Sequence, residues 1–456
     1  MLLTRVISTA KTVSLFMCFL LAACGTNVPA PEKSVSRTGL AKERVENQNS
    51  DPAPLVVADK TEKIVIALLL PLSGPEQEIG NTLLRSATMA LFDAYDPRLV
   101  LLPIDTKADV LETEKAARQA VEEGVSIVLG PLLAGNVKAA GAVLEGTNIP
   151  LIGFSNDSSV AAPGRFIMGF LPELEVKRVI DYAVGQGFHA YAALVPDGLY
   201  GSRVREAFGD AVSTAGAEVV AIENYPPDPE AVFEPVKRLS NYDKRRKDMQ
   251  DEVRFLHSLG DDLTDEIAAE LSKSEVLEGV SFDAILLPEG GELLKSLAPL
   301  LPFYEIDPNT IKLLGTGLWN DESLLREPPL QGAFFAAPDP AAPTAFLRRY
   351  EKIYGVNPPR ITTLAYDAVS LVASLAREEP VLDEFGLKKS RFSVDVLTNE
   401  TGFVGLDGLF RFLPDGTAER ALAVLEVSRR GFQVVDTAPE GFPSFGYVFR
   451  QSAFQE

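Results

Sequence analysis

The chain has 456 residues, 46% of them hydrophobic, with 64 acidic against 43 basic side chains and a formal net charge of −21. Such acidity excludes general binding to nucleic acid or anionic membrane surfaces, save through a local basic patch. Two cysteines and two histidines leave little material for disulfide, thiol or metal chemistry.

Residues 1–23 carry Arg5 and Lys11, an apolar run from Val13 to Leu21, and the small residues Ala22 and Ala23. The run is too short to span a bilayer and ends at small residues, which predicts a secretory signal peptide. Leu21-Ala22-Ala23-Cys24 resembles the bacterial lipobox, which implies cleavage before Cys24 and lipidation of its thiol. Gly25 after the cysteine implies, by the lipoprotein sorting pattern, the periplasm and the inner leaflet of the outer membrane. Cys18 would leave with the signal and Cys24 would be acylated, so no thiol would remain for a disulfide, a nucleophile or a metal. Loss of Arg5 and Lys11 takes the charge from −21 to −23. Residues 24–60 are rich in Pro, Ser, Asn, Thr, Lys and Glu and contain no aromatic residue, which predicts a lipidated, disordered tether. Its root-mean-square span is roughly 30 Å and its stretched limit about 120 Å.

About 395 residues follow, enough for two lobes rather than one ordinary core. Lys63 to Gly74 opens them with an unbroken apolar run, Ile64 to Leu70, and a Pro-Leu-Ser-Gly turn. Such a run predicts a strand buried on both faces of a parallel sheet, with any ligand crevice beyond its carboxyl end. A helix follows with Leu83, Ala87, Leu91 and Ala94 on one face, then a strand at Leu99–Asp105 and a helix at Asp109–Glu123. A strand at Val125–Leu129 ends in Gly130-Pro131, a short helix covers Asn136–Leu144, and a strand at Ile149–Phe154 ends in Ser155-Asn156-Asp157. This alternation predicts right-handed βαβ units and a doubly wound α/β lobe.

The pattern restarts with a helix at Glu173–Val184 and a strand at Ala190–Val195 ending before Tyr200-Gly201. A helix from Ser202 and strands at Glu218–Tyr225, Phe282–Leu287 and Ile311–Leu314 complete a second α/β lobe. Leu330–Ala336 reads as a crossing back. Helices at Thr344–Tyr354 and Thr362–Arg377 follow, then an antiparallel hairpin of Leu409–Leu413 with Ala421–Val427. The division this predicts is lobe 1 at 61–172 and 337–400, lobe 2 at 173–336 and 401–430, and a C-terminal tail at 431–456. Residues 232–279 interrupt the alternation as a charged helical insertion in lobe 2. Its Lys244-Arg245-Arg246-Lys247 is the only concentrated basic segment, and reads either as a solvated helix or as a partner-docking arm.

The strand ends bring Ser73, Gly74, Gly130, Pro131, Ser155, Asn156 and Asp157 towards one crevice from lobe 1. Tyr200, Glu289 and Trp319 face it from lobe 2. In a receptor, Ser73, Ser155 and Asn156 would meet a ligand carboxylate, Tyr200 would cover the ligand, and Glu289 or Asp157 would pair with an ammonium. Trp319 fits core packing as readily as the crevice. His189 and His257 read as structural or solvated residues. There is no G-x-S-x-G elbow, phosphate loop or metal-ligand cluster, so no enzymatic chemistry and no cofactor is expected.

The order of elements resembles the type I periplasmic binding proteins, such as the leucine/isoleucine/valine receptors. Taken together, Leu68–Gly74, Leu129–Pro131, Phe154–Asp157, Tyr200-Gly201, Gly315–Trp319, Leu364–Val369 and Gly402–Phe412 resemble the penicillin-binding protein activator lipoproteins. This resemblance implies a lipid-anchored periplasmic regulator that docks on a bifunctional peptidoglycan synthase. The better-known activators carry an additional helical-repeat domain where this chain has its tether. The alternative function is a solute-binding lipoprotein for an amino-acid or peptide-like ligand, serving an ABC transporter or a sensor.

Overall fold

A computed structural model of the chain describes residues 63–379, 382, 386 and 389–443. The expected signal peptide, Cys24 and the tether lie outside the described residues, as do residues 444–456 of the expected tail. The described residues fall in one compact unit running from Lys60 onward.

Lobe 1 begins with β1 (Ile64–Leu70), α1 (Gln77–Ala94), β2 (Leu99–Asp105), α2 (Val110–Glu122), β3 (Ile127–Leu129), α3 (Ala134–Leu144), β4 (Leu151–Gly153) and β5 (Arg165–Ile167). The strands form a parallel sheet in the order β2-β1-β3-β4-β5. β1 pairs along its length with Leu99–Asp105 and, on its other edge, with Ile127–Leu129. Alternation then decides the layers. Ile64, Ile66, Leu68 and Leu70 pack with Leu83, Ala87 and the segment Leu364–Ala376, while Ala67 and Leu69 pack with Ala117, Val137 and Ala140 on the other face.

Lobe 2 comprises α4 (Pro172–Gly185), β6 (Ala190–Pro196), α5 (Leu199–Thr214), β7 (Glu218–Tyr225), the insertion helices α6 (Phe233–Leu239), α7 (Tyr242–Leu259) and α8 (Asp262–Leu271), then β8 (Ala284–Leu286), α9 (Gly291–Leu297), α10 (Leu300–Phe303), β9 (Lys312–Gly315) and β10 (Phe334–Ala337). The chain returns to lobe 1 as α11 (Thr344–Tyr354), α12 (Thr362–Arg377), α13 (Val394–Leu397), β11 (Phe403–Gly405), β12 (Gly408–Phe412) and β13 (Ala418–Arg420). It ends in lobe 2 as β14 (Ala423–Ser428) and β15 (Gly431–Asp436). The lobe 2 sheet has the order β15-β14-β10-β9-β8-β6-β7, with β14 antiparallel to both neighbours.

Four sequence expectations are corrected here. Leu330–Ala336 is more than a crossing: Phe334–Ala337 is a fully buried strand parallel to β9. The hairpin partner of β12 is Ala418–Arg420, not Ala421–Val427; from Ala423 on that segment instead pairs with β10 and β15. The cause is where the apolar side chains find a core. Phe410, Phe412 and Ala418 pack into lobe 1 around Phe166 and Met168, whereas Leu422 and Val424 pack into lobe 2. Arg420 fixes the switch, its guanidinium donating to Met168 O at 2.8 Å. Residues 403–420 thus belong to lobe 1 rather than lobe 2. Finally, Gly431–Asp436 is an edge strand rather than part of a tail.

Candidate functional site: the interlobe cleft and the helical arm

The carboxyl ends of β3 and β4 face the start of α5 across a cavity of about 370 Å³. Leu132, Leu133, Phe154, Ser155, Asn156, Asp157 and Phe170 line it from lobe 1, and Glu175, Tyr200, Arg203 and Leu318 from lobe 2. A larger hollow of about 750 Å³ surrounds Arg165 and Phe392, but it lies at the other end of β4 and β5 and touches one lobe only. The cleft is therefore the candidate binding site.

Most polar groups of the cleft already have partners within the protein. Ser155 Oγ accepts from the Asp157 N–H at 3.1 Å, and Asp157 Oδ1 accepts from the Ser159 N–H and O–H at 3.0 and 2.7 Å. Arg203 reaches across from lobe 2 and donates to Asn156 O at 2.7 Å, with Asp157 and Glu173 carboxylates at 3.5 Å. A second link between the lobes runs from Ser158 Oγ to Glu173 Oε1 at 2.6 Å. Tyr200 places its hydroxyl 3.3 Å from Thr316 Oγ1, and burial raises its pKa so that the phenol stays neutral.

Glu175 is the exception in kind, a buried carboxyl in the cleft wall. Burial pushes its pKa up to about 7, opposed by the Gly317 N–H, which donates to it at 2.9 Å, and by the Arg360 charge. A Cβ on residue 317 would lie 2.3 Å from Glu175 Oε1, so any larger residue there would displace the carboxyl from its present position. Gly201 has the same logic: a Cβ there would meet Pro196 O at 1.6 Å, so the glycine lets the first turn of α5 sit against β6 and carry Tyr200 to the cleft.

Several expected cleft residues sit elsewhere. Ser73 Oγ donates to Asp105 Oδ2 at 2.5 Å, while the Leu72 and Ser73 N–H groups donate to Asp105 Oδ1. This closes the β1 turn onto β2, and neither Ser73 nor the exposed Gly74 lines the cavity. Gly130 N–H donates to Ile152 O and Pro131 O accepts from Phe154 N–H, so this pair ties β3 to β4 and only the following leucines reach the cavity. Glu289 accepts from Tyr225 O–H at 2.8 Å and from the Gly290 N–H at 3.0 Å, outside the cleft. Trp319 is fully buried in the lobe 2 core beside Phe335, its Nε1–H donating to Glu289 O at 2.9 Å. His189 is exposed at the start of β6, and His257 Nδ1 lies 2.7 Å from Asp265 Oδ1 on the insertion. Sequence reasoning missed Glu173, Glu175 and Arg203. The available signal was Arg203 three residues after Tyr200, on the same helix face.

The periplasmic binding protein family matches residues 63–242. An uncharacterised protein of Rickettsia prowazekii is 25% identical over 201 residues, covering 44% of this chain and 54% of that protein. The penicillin-binding protein activator LpoA of Vibrio cholerae is 28% identical over 149 residues, covering 32% of this chain and 24% of the activator. The chain thus spans about half the length of the first relative and about a quarter of the second. A solved branched-chain amino acid ABC transporter protein from Rhodospirillum rubrum superposes with a TM-score of 0.62 and 21% identity over 82% of this chain and 100% of its own.

The chain has a two-lobe periplasmic-binding-protein fold.

On that frame the insertion stands as a helical arm on lobe 2. Its basic segment is divided by helix geometry. Arg245 is buried, donating to Glu278 O at 2.8 Å and Ser240 O at 3.1 Å, whereas Lys244, Arg246 and Lys247 are exposed. Arg245 is therefore an anchor of the arm and is withdrawn from the docking candidates. Among the described residues no group of His, Cys, Asp and Glu is placed to hold a metal ion, and no helix is long and apolar enough to cross a membrane.

Proposed function

We propose that this chain is a lipid-anchored periplasmic regulator on a binding-protein body, which activates a bifunctional penicillin-binding protein by direct contact. The observation that carries this reading is the 149-residue similarity to the Vibrio cholerae activator. The cleft supports it indirectly. Ser73 and Glu289, which a receptor would turn towards a ligand, are hydrogen-bonded inside the protein, and Arg203 occupies the space between the lobes. Lipidation at Cys24 would hold the protein at the inner leaflet of the outer membrane, with the tether giving reach towards a synthase. Lys244, Arg246 and Lys247 are the exposed basic candidates for contact.

A second reading, a solute-binding lipoprotein for an amino-acid or peptide-like ligand, is favoured by the 370 Å³ cavity with its buried Glu175. The deciding experiment presents the immobilised mature protein to purified bifunctional peptidoglycan synthases, and titrates the same protein with amino acids and short peptides in a calorimeter. The regulator reading expects a retained synthase and no heat from solutes. A solute whose binding disappears in Tyr200→Ala, with no synthase retained, would replace it by the receptor reading.

A further inference from the structure

The arm carries a feature that its basic residues do not explain. α7 and α8 are joined by the short turn Gly260-Asp261, in which Gly260 is left-handed and Asp261 caps α8 by accepting from Leu263 and Thr264 N–H, so the helices lie side by side. At about 100° per residue, Phe255 and Leu259 form one stripe on α7, far around the helix from His257. Leu263 and Ile267 form the matching stripe on α8, far around from Asp265. The 2.7 Å contact of His257 with Asp265 places those two residues on one face of the pair. The two apolar stripes then share the opposite face.

Phe255, Leu259, Leu263 and Ile267 are each 47–65% exposed. Four large apolar side chains gathered in water on one face mark a contact surface rather than scattered exposure. Its surroundings are polarised. Asp262 and Glu266 at the tip are exposed and make no ion pair among the described residues, while Lys244, three turns back along the Phe255 stripe, is exposed at the root. The acidic tip opposes docking on an anionic lipid surface and favours a groove rimmed by positive charge.

We infer that this apolar face of α7 and α8 is the docking surface for the synthase, and that it fits an apolar groove whose rim is basic where the acidic tip lands. The inference rests on the regulator reading and moves its centre from the basic root of the arm to the apolar face near its tip. The test uses the mature protein and a purified synthase that the wild type retains, with affinity read by biolayer interferometry. Leu259→Ser with Leu263→Ser is expected to weaken binding at least tenfold, and Asp262→Lys with Glu266→Lys to weaken it and flatten its salt dependence. Both variants should keep the wild-type melting temperature, because the replaced side chains are exposed. Affinity within twofold of wild type in both variants overturns the docking face while leaving the regulator reading intact. Failure of the wild type to retain any synthase overturns both. A wild-type dimer in sedimentation that the leucine variant dissolves would give the face to a second copy of the chain and overturn the inference.

Discussion

The cleft and the arm differ in how their polar and apolar groups are satisfied. In the cleft, Arg203, Ser155, Asp157 and Tyr200 have partners inside the protein, and two links join the lobes directly. On the arm the anchoring polar group, Arg245, is buried and bonded, while apolar side chains and several charges are left to solvent. A surface whose groups are already paired gains little from a partner, whereas exposed apolar area and unpaired charge gain most from one. The contrast favours the proposed recognition surface on the arm over the cleft.

The largest expected effect tests whether Trp319 belongs to core or cleft. Trp319→Ala should destabilise the protein by about 3–5 kcal/mol in urea unfolding, as for a large core aromatic with its indole N–H bonded. A loss below about 1 kcal/mol would return Trp319 to the cleft side. Arg245→Ala comes next, at about 2–3 kcal/mol, because the Glu278, Ser240 and Glu305 carbonyls lose their donor. Lys244→Ala, one residue away and exposed, should stay within about 0.5 kcal/mol. Equal effects at the two positions would erase the division of the basic segment.

Two buried carboxyls give the stability a pH dependence. Glu175 has a folded pKa of about 7 against its ordinary 4.5, caused chiefly by burial. Asp367, buried beside Asp407, likewise rises to about 7 from 3.8. Between the two values the folded state holds a proton that the unfolded state has lost, so stability falls as pH rises from about 4 to 7. The slope is up to about 1.4 kcal/mol per pH unit for each group. Glu175→Gln should remove its share of that slope in melting curves from pH 4.5 to 8, and an unchanged slope would mean the carboxyl is ionised and solvated. A modest effect is expected for Ser73→Ala, which removes one hydrogen bond to Asp105 at about 1 kcal/mol and should leave the cleft cavity unaffected. Loss of solute binding in that variant would restore the residue to the site.

The two-lobed fold was legible because β1 and β6 are long runs of apolar residues and because Asp109 and Gly124 mark a helix start and stop. α11 and α12 carry the 3.6-residue period over their whole length. β5 was missed because three residues between Gly164 and the Met168-Gly169 pair carry no measurable alternation. β15 was missed because its side chains are half-exposed on an edge, leaving little apolar contrast. The cleft was half legible. Strand-end turns bring Ser155–Asp157 and Tyr200 to the cavity, yet no pattern distinguishes Ser73 bonding to Asp105 from Ser73 awaiting a ligand, since the bond joins residues 32 apart in sequence. The arm's apolar face was hidden in a charged sequence, where periodicity is diluted by acids and bases on every side.

On the proposed reading, recognition lies outside the cleft. The affinities of the wild type, a cleft variant combining Tyr200→Ala with Arg203→Ala, and the Leu259→Ser/Leu263→Ser arm variant for one purified bifunctional peptidoglycan synthase separate the two surfaces. Near-wild-type binding is expected for the cleft variant and at least a tenfold loss for the arm variant. Loss in the cleft variant with full binding in the arm variant would contradict that reading.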